Sequence, residues 1–316
     1  LNGTTIEIWD KSPTALEFAR LVHISRPVLF TGCFSAGTLP ALTRWTNEYL
    51  SLKMGETPVS VAVTPDGYAD ALKRGPDGIT TYFTEPHTQH MVMANLLSLL
   101  SDPHFSQSSE VVYLQSQNGN LNDPEGEFAS LREDVPAQIP WASEALDKPP
   151  EAVNLWIGDS RSITSAHSDP YENVYTVVRG RKHFTLLPPT EGWTLQERMH
   201  PHATYTRPEP ALPLVLTPSD PQSQVSWTTL DPVKDLDRIR TEAAFDVHPI
   251  EVTVNPGDAL YLPAGWWHHV RQEGDDSDER GDNDGGGGKG HVIALNWWYD
   301  MEMRGMSWVW LSHLRG

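Results

Sequence analysis

Cysteine is almost missing from this sequence, with Cys33 as its only instance. No intrachain disulfide can form, which excludes a small stapled secreted scaffold and points to an intracellular, reducing setting, cytoplasmic or nuclear. Cations are scarce as well. Lys+Arg number 23 against 42 Asp+Glu, a formal net charge of −19, so the clustered positive surface that nucleic acid or an anionic membrane needs is lacking. No apolar run reaches the roughly 18 residues of a membrane span. No internal repeat is visible, and the composition excludes collagen, coiled coil and wholesale disorder. The chain opens on Leu1 rather than Met, so the true N-terminus and any targeting segment are expected to be missing from it. Asn2-Gly3-Thr4 matches a glycosylation acceptor, but a single such triplet is expected by chance.

What is plentiful is Trp and Pro. The chain holds 12 Trp beside 9 Tyr and 8 Phe, and 26 Pro in 316 residues, which suits a turn-rich β protein with an aromatic core. A chain of this length can bury a core without staples and has room for about two domains. The first hundred residues read as mixed α/β. Ser12-Pro13 is a candidate N-cap followed by Leu16, Phe18, Ala19 and Val22 as an apolar face. Residues 39–50 and 91–100 carry two more helical patterns, and Val59 to Val63 alternate like a strand that stops at Thr64-Pro65-Asp66-Gly67. From Val111 the signal turns to short strands, at 111–114, 152–157, 171–178, 182–187, 251–254, 259–262 and 292–299. Arg179-Gly180-Arg181 reads as a hairpin turn between two of them. This pattern predicts an antiparallel sandwich or jelly roll. Residues 273–289 run through seven acids and two bases into four glycines, a net −5 that leaves −14 for the rest; that composition predicts a disordered insertion in a hairpin loop.

His167-Ser168-Asp169 is the single place where an acid stands two residues after a His. With 13 His and 42 acids in the chain, chance alone accounts for one. Context raises it. Residues i and i+2 of a strand share a face, so His167 and Asp169 can present an imidazole and a carboxylate to one ion. His268 and His269 follow a turn, a strand and Trp266-Trp267, where a barrel mouth would lie. Two His and one carboxylate with open positions form the facial triad of non-haem Fe(II) oxygenases. His269 points away from His268 in an extended segment and is expected behind the ligands or in solvent. His200 and His202, beside Pro201, are expected in a surface loop.

The context also carries a likeness. Thr164-Ser165-Ala166-His167-Ser168-Asp169-Pro170-Tyr171-Glu172-Asn173 with Arg181-Lys182-His183-Phe184, then residues 256–270 running from Pro-Gly-Asp to Trp-Trp-His-His-Val, then Ala294-Leu295-Asn296-Trp297-Trp298-Tyr299, resemble the JmjC oxygenases. Within that family the likeness leans toward the small lysyl hydroxylases, and residues 61–70 and 135–146 extend it into the N-terminal half. The resemblance implies a mainly β protein, a double-stranded β-helix or cupin-like jelly roll, with an N-terminal α/β extension over 1–110, a catalytic core over 111–316 and C-terminal helices, all one integrated domain. It implies Fe(II) held by His167, Asp169 and His268, 2-oxoglutarate as cosubstrate and O2 as oxidant. Lys182 would pair with the distal carboxylate of 2-oxoglutarate, helped by Thr164 and Tyr113, while Asn173 and Asn296 line that end of the pocket. It implies hydroxylation of a protein or peptide side chain, most directly lysine, with a GTP-binding protein as a candidate substrate. Histone methyl-lysine demethylation by the same chemistry and a non-catalytic JmjC scaffold are the alternatives; no reader module is visible within these 316 residues and no ligand is lost. A metal-dependent hydrolase or isomerase on the same fold would not need Lys182.

The residues support these roles on their own terms. Lys182 shares a face with Phe184 and Leu186, and a Lys on an apolar face needs a charged partner or a route to solvent. Asn296 shares a face with Ala294 and Trp298. Thr164 would face away from His167 on an unbroken strand, so a bulge is predicted between them. Asp66 and Tyr68, at the turn after a strand, and Trp298 are candidate substrate contacts, and Trp266, Trp267 and Trp298 are expected to cluster at the iron mouth. Met303, Met306, Trp308, Val309, Trp310, Leu311 and Leu314 form an apolar C-terminal helix, through which members of the family dimerise; a homodimer is expected.

Overall fold

The computed structural model describes residues 3–102, 104–108, 110–116, 121–275, 290–303 and 305–315. Its centre is a nine-stranded sheet. In order across it lie Glu7–Trp9, Val28–Phe30, Ala259–Leu262, Tyr171–Arg179, Val292–Asp300, Ala152–Gly158, Val111–Ser116, Pro58–Thr64 and His87–Val92. Facing it is a five-stranded sheet of Ile250–Val254, Arg181–Leu187, Trp267–Glu273, Ile163–Ser168 and Tyr68–Ala69. A third sheet of Val215–Pro218, Arg198–Thr206, Thr81–Glu85 and Ala71–Arg74 stands at the open end. The family-level expectation of a mainly β jelly roll therefore holds. Strands from the first hundred residues are hydrogen-bonded into the large sheet rather than standing beside it.

Residue alternation explains why the central strands are buried on both faces. Along Ala152–Gly158 and Val292–Asp300, Leu155, Ile157, Leu295, Trp297 and Tyr299 point outward and join Phe18, Leu21, Leu50 and Leu96 of the N-terminal helices in one core. Trp156 and Ala294 point inward and meet Phe184, Leu186 and Val270 of the facing sheet in a second. A third core covers the back of the smaller sheet, where Trp267, Leu187 and Ala166 pack under Leu195, Ile239 and Val247. With apolar area on both faces, such strands read as continuous hydrophobic runs.

Several local expectations are corrected. The first helix spans Ala15–Ile24 and is capped by Thr14, whose side chain and backbone exchange hydrogen bonds with Glu17; the capping box displaces Ser12 from that role. Its buried residues are Phe18 and Leu21, while Leu16 is exposed. The single helix expected over residues 39–50 is two, Ala41–Arg44 and Asn47–Met54, because the Thr46 side chain caps a new start. The helix expected over 91–100 runs Met93–Ser101. Arg179-Gly180-Arg181 is no hairpin. Tyr171–Arg179 pairs within the large sheet and Arg181–Leu187 within the small one, so Gly180, at φ 74°, turns the corner between them. A Cβ there would lie 2.8 Å from the Glu273 carbonyl oxygen.

Likewise Trp267–Glu273 and Val292–Asp300 belong to different sheets, so the acidic insertion connects sheets rather than closing a hairpin. The expected disorder of 273–289 falls mostly outside the described residues; Glu273 itself ends a strand, and Gly290 N–H donates to the Asp275 carbonyl. His200 and His202 lie in the strand Arg198–Thr206, not in a loop. The last helix spans Gly305–Arg315, with Leu311 against Gly265 and with Val309 and Trp310 exposed. No helix among the described residues is long and apolar enough to cross a membrane.

Candidate active site

Two neighbouring strands of the small sheet build the centre of the site. His167 lies on Ile163–Ser168 and pairs across the ladder with His268 on Trp267–Glu273, and Asp169 follows one residue past the first strand's end. The predicted bulge is present. Thr164 pairs with Val270 and His167 with His268, three residues on one strand against two on the other. The extra residue brings Thr164 and His167 to the same interior. The two imidazole centroids are 4.2 Å apart. Asp169 Oδ2 lies 3.6 Å from His167 Nε2 and 3.7 Å from His268 Nε2, and one ligand atom from each of the three lies within 4.8 Å of the others.

The backbone sets the tautomers. His167 Nδ1 is 2.9 Å from the Ser165 carbonyl oxygen and His268 Nδ1 is 3.1 Å from that of Trp266. A carbonyl only accepts, so each Nδ1 carries the proton and each Nε2 turns its lone pair toward Asp169. Burial and the neighbouring His167 push the His268 pKa down to about 4, so it is neutral. At His167 burial acts in the same sense and is the largest single influence, but the Asp169 carboxylate, the Ser165 carbonyl and Asp70 together outweigh it and the pKa is raised. Two imidazole lone pairs and one carboxylate oxygen converging in this way match the donor set of a divalent cation with open positions.

Lys182 stands on the same wall, four residues up the strand from Leu186, which pairs with His268. That is about 13 Å of strand, a span that a lysine side chain and a five-carbon diacid fill together. Lys182 is 2% exposed, and its Nζ donates to the Tyr113 hydroxyl at 3.1 Å. No carboxylate lies within ion-pair range of it among the described residues. Burial alone pushes its pKa down to about 7. A buried ammonium held by one neutral hydroxyl fits an anionic ligand group. Thr164 adjoins Tyr113 as a hydrogen-bond neighbour. On the opposite wall Trp156 Nε1 donates to Asn296 Oδ1 at 2.7 Å, and Asn296 Nδ2 to Asn173 Oδ1 at 3.1 Å.

All of these residues line one cavity of about 330 Å³. So the structure brings together His167, Asp169, His268, Tyr113, Thr164, Asn173, Lys182, Asn296 and Trp298, the last stacked on Tyr171 at 4.7 Å. It leaves others outside. Asp66 pairs with Lys73 at 2.6 Å, and the Tyr68 hydroxyl accepts from Lys234, both on the surface beside the opening. The expected Trp cluster at the mouth is corrected: Trp266 sits in the interior core and donates to the Ser25 carbonyl, and Trp267 packs behind the sheet. His269 faces that outer side, buried, with Nε2 3.8 Å from Asp231.

The wall contains groups that the sequence patterns did not single out. Trp227 stacks on His167 at 6.0 Å and 9°, and Phe83 meets Trp227 at 4.7 Å. Asp70, Glu85 and Gln115 line the same side. Trp227 ends a four-residue edge strand, and Asp70 follows directly on Tyr68-Ala69, two positions beyond the nearer of the residues proposed for that turn.

Residues 13–305 match the protein family described as Cupin-like domain. The chain is 37% identical over 294 residues to the human bifunctional peptidase and (3S)-lysyl hydroxylase JMJD7, a match covering 93% of this chain and 83% of that protein. It is 34% identical over 308 residues to lysine-specific demethylase JMJ32 of Arabidopsis thaliana, covering 95% and 83% respectively. JmjC domain-containing protein E of Dictyostelium discoideum is 31% identical over 325 residues, covering 96% and 86%.

Proposed function

The chain belongs to the cupin-like JmjC family of 2-oxoglutarate oxygenases, and on that premise we propose that it hydroxylates a lysine side chain of a protein or peptide, with His167, Asp169 and His268 holding Fe(II) and Lys182 holding 2-oxoglutarate. The observation that carries this reading is the pairing of two features in one cavity: three converging metal-type donors at one level, and a buried ammonium without a counter-carboxylate about 13 Å of strand away.

When bound, Fe(II) with 2-oxoglutarate and O2 supplies the oxidising power that replaces a C–H by a C–OH. The protein supplies placement. Ser165 and Trp266 carbonyls hold the Nδ1 protons and thereby aim both Nε2 atoms. Lys182 and the Tyr113 hydroxyl, with Thr164 beside it, receive the distal carboxylate of the cosubstrate. The Asn173–Asn296–Trp156 relay fixes the polar atoms on the opposite wall. Trp227 and Trp298 keep the reacting region apolar and restrict water.

The relative JMJ32 is named a lysine-specific demethylase, so the product separates the two readings. A mass gain of one oxygen on lysine supports hydroxylation; loss of a methylene from methyl-lysine supports demethylation. The test of the site itself is succinate release from 2-oxoglutarate with Fe(II). His167→Ala is expected to lower it at least about 100-fold through loss of a metal ligand. Retention of wild-type turnover in that variant refutes the assignment.

We propose three finer points on the same footing. The substrate is a segment of a GTP-binding protein. Two copies associate through the helix Gly305–Arg315, whose Val309 and Trp310 are exposed. The setting is intracellular, in keeping with the free Cys33.

A further inference from the structure

The cavity carries opposite charges at two places. Among the described residues Lys182 is the only Lys or Arg in its lining, and the acids are Asp169, Asp70 and Glu85. Asp169 belongs to the metal-type triad, which leaves Asp70 and Glu85 without a role in that centre. Asp70 is largely enclosed. Among the described residues its one side-chain hydrogen bond comes from Gln115 Nε2 at 3.4 Å, and no Lys or Arg pairs with it. It stands where the chain passes from Tyr68–Ala69 in the small sheet to Ala71–Arg74 in the third, and Ser165 Oγ clamps its carbonyl at 2.6 Å. Because Tyr68–Ala69 pairs with Ile163 and Thr164, Asp70 lies close to the level of His167 and far from that of Lys182. Glu85 stands farther out, half exposed, with His202 Nε2 at 3.4 Å. The rings of Phe83 and Trp227 line the same cavity, Trp227 stacked on His167 and Phe83 against Trp227.

An aromatic wall ending in a carboxylate suits one kind of side chain best, an apolar stem that ends in a cation. A neutral side chain would leave the enclosed Asp70 with only the Gln115 amide and no counter-charge, and an acidic one would face it with like charge. We propose that Asp70, supported by Glu85 at the rim, is the specificity-determining residue of this pocket. Its carboxylate takes the ε-ammonium of an unmethylated lysine whose methylenes lie along Trp227 and Phe83, beside the His167–Asp169–His268 centre. The inference rests on the lysyl hydroxylase reading and adds the group that selects the lysine.

The test compares two sets of short capped peptides with randomised flanks, one with a central lysine and one with norleucine, which keeps the stem and removes the charge. The quantity read is the ratio of kcat/KM for the two sets within each protein, so a variant that folds partially lowers both rates and leaves the ratio intact. Wild type is expected to prefer lysine at least about tenfold, the discrimination typical of a hydrogen bond to a charged group. Asp70→Asn is expected to abolish most of that preference. Glu85→Gln, at a half-exposed rim, is expected to reduce it about twofold and serves if Asp70→Asn does not fold. An unchanged ratio in Asp70→Asn, or in Glu85→Gln should that be the usable variant, overturns the proposal, as does a wild type that modifies both peptide sets equally or neither. Failure of the underlying reading looks different: wild type would release no succinate from 2-oxoglutarate with Fe(II), with or without peptide, and both would fall.

Discussion

At Lys182 burial and charge conflict directly. Its ammonium is enclosed with a single neutral acceptor, and its pKa falls to about 7 from an ordinary 10.5. Between those values the unfolded chain binds a proton that the folded protein does not, so the free protein gains stability as pH rises from about 7 toward 10.5 and carries the full penalty below 7. A carboxylate placed against Nζ reverses the preference. Cosubstrate binding above about pH 7 must therefore take up a proton, and its affinity is expected to weaken by up to about tenfold per pH unit from there. Lys182→Met is expected to lose this pH dependence and to bind 2-oxoglutarate roughly 10- to 100-fold more weakly. Calorimetry with Mn(II) in place of Fe(II), in two buffers of different ionisation enthalpy, reads both the affinity and the proton. An affinity that stays flat from pH 6.5 to 8.5 in the native protein contradicts the assignment.

Secondary-structure elements were legible wherever period and partner agreed. The inward face of Arg181–Leu187, with Lys182 between apolar neighbours, follows from alternation, and the bulge that brings Thr164 beside His167 follows from alternation together with the role that the family resemblance implies for Thr164; both are present. Strand partners were not legible. Gly180 marks a reversal in either a hairpin or a corner between sheets, and only the long-range pairing of its flanking strands decides. Trp227 and Asp70 were missed for a related reason. Trp227 ends a strand of four residues and Asp70 lies between strands of two and four, all too short to show a period, and both line the cavity where the third sheet meets the small one.

The same element scale holds a second titration. Glu172, on the strand Tyr171–Arg179, accepts from the Tyr261 hydroxyl at 2.6 Å and from Ala264 N–H at 3.4 Å, which ties that strand to the turn leading to His268. Burial raises its pKa from 4.5 to about 7. In that window the folded state keeps a proton that the unfolded chain has lost, so stability falls as pH rises through it and stays reduced above. Glu172→Gln keeps an acceptor for Tyr261 and removes the charge. It is expected to flatten this arm of the stability profile and to raise the thermal midpoint at pH 8 by a few degrees, read by calorimetric scans of both proteins from pH 4.5 to 8. A variant whose profile overlays the native one refutes the account of Glu172.

For the molecule as a whole, the net charge of −19 says little about partners, since one acidic segment supplies −5 of it. The distribution inside the cavity says more: the ammonium of Lys182, the converging donors of His167, Asp169 and His268, and two further acids, Asp70 and Glu85, in one lining. The desolvated ammonium of Lys182 and the crowded donors of the triad are costs to the free folded state that a ligand removes. The fold therefore stores part of its stability in what it binds. Mn(II) and 2-oxoglutarate, each at about 100 times its dissociation constant, contribute roughly 2.7 kcal/mol apiece, which for a chain of this size corresponds to a rise of about 5 °C per ligand. The two increments are separable by residue. His268→Ala is expected to lose the metal increment, and with it most of the cosubstrate increment, because the diacid then has only its Lys182 end held. Lys182→Met is expected to keep the metal increment and lose that of 2-oxoglutarate. Thermal scans of the three proteins with each ligand alone and with both decide it: equal shifts in all three would mean that the ligands bind elsewhere, and the cavity assignment would fall with them.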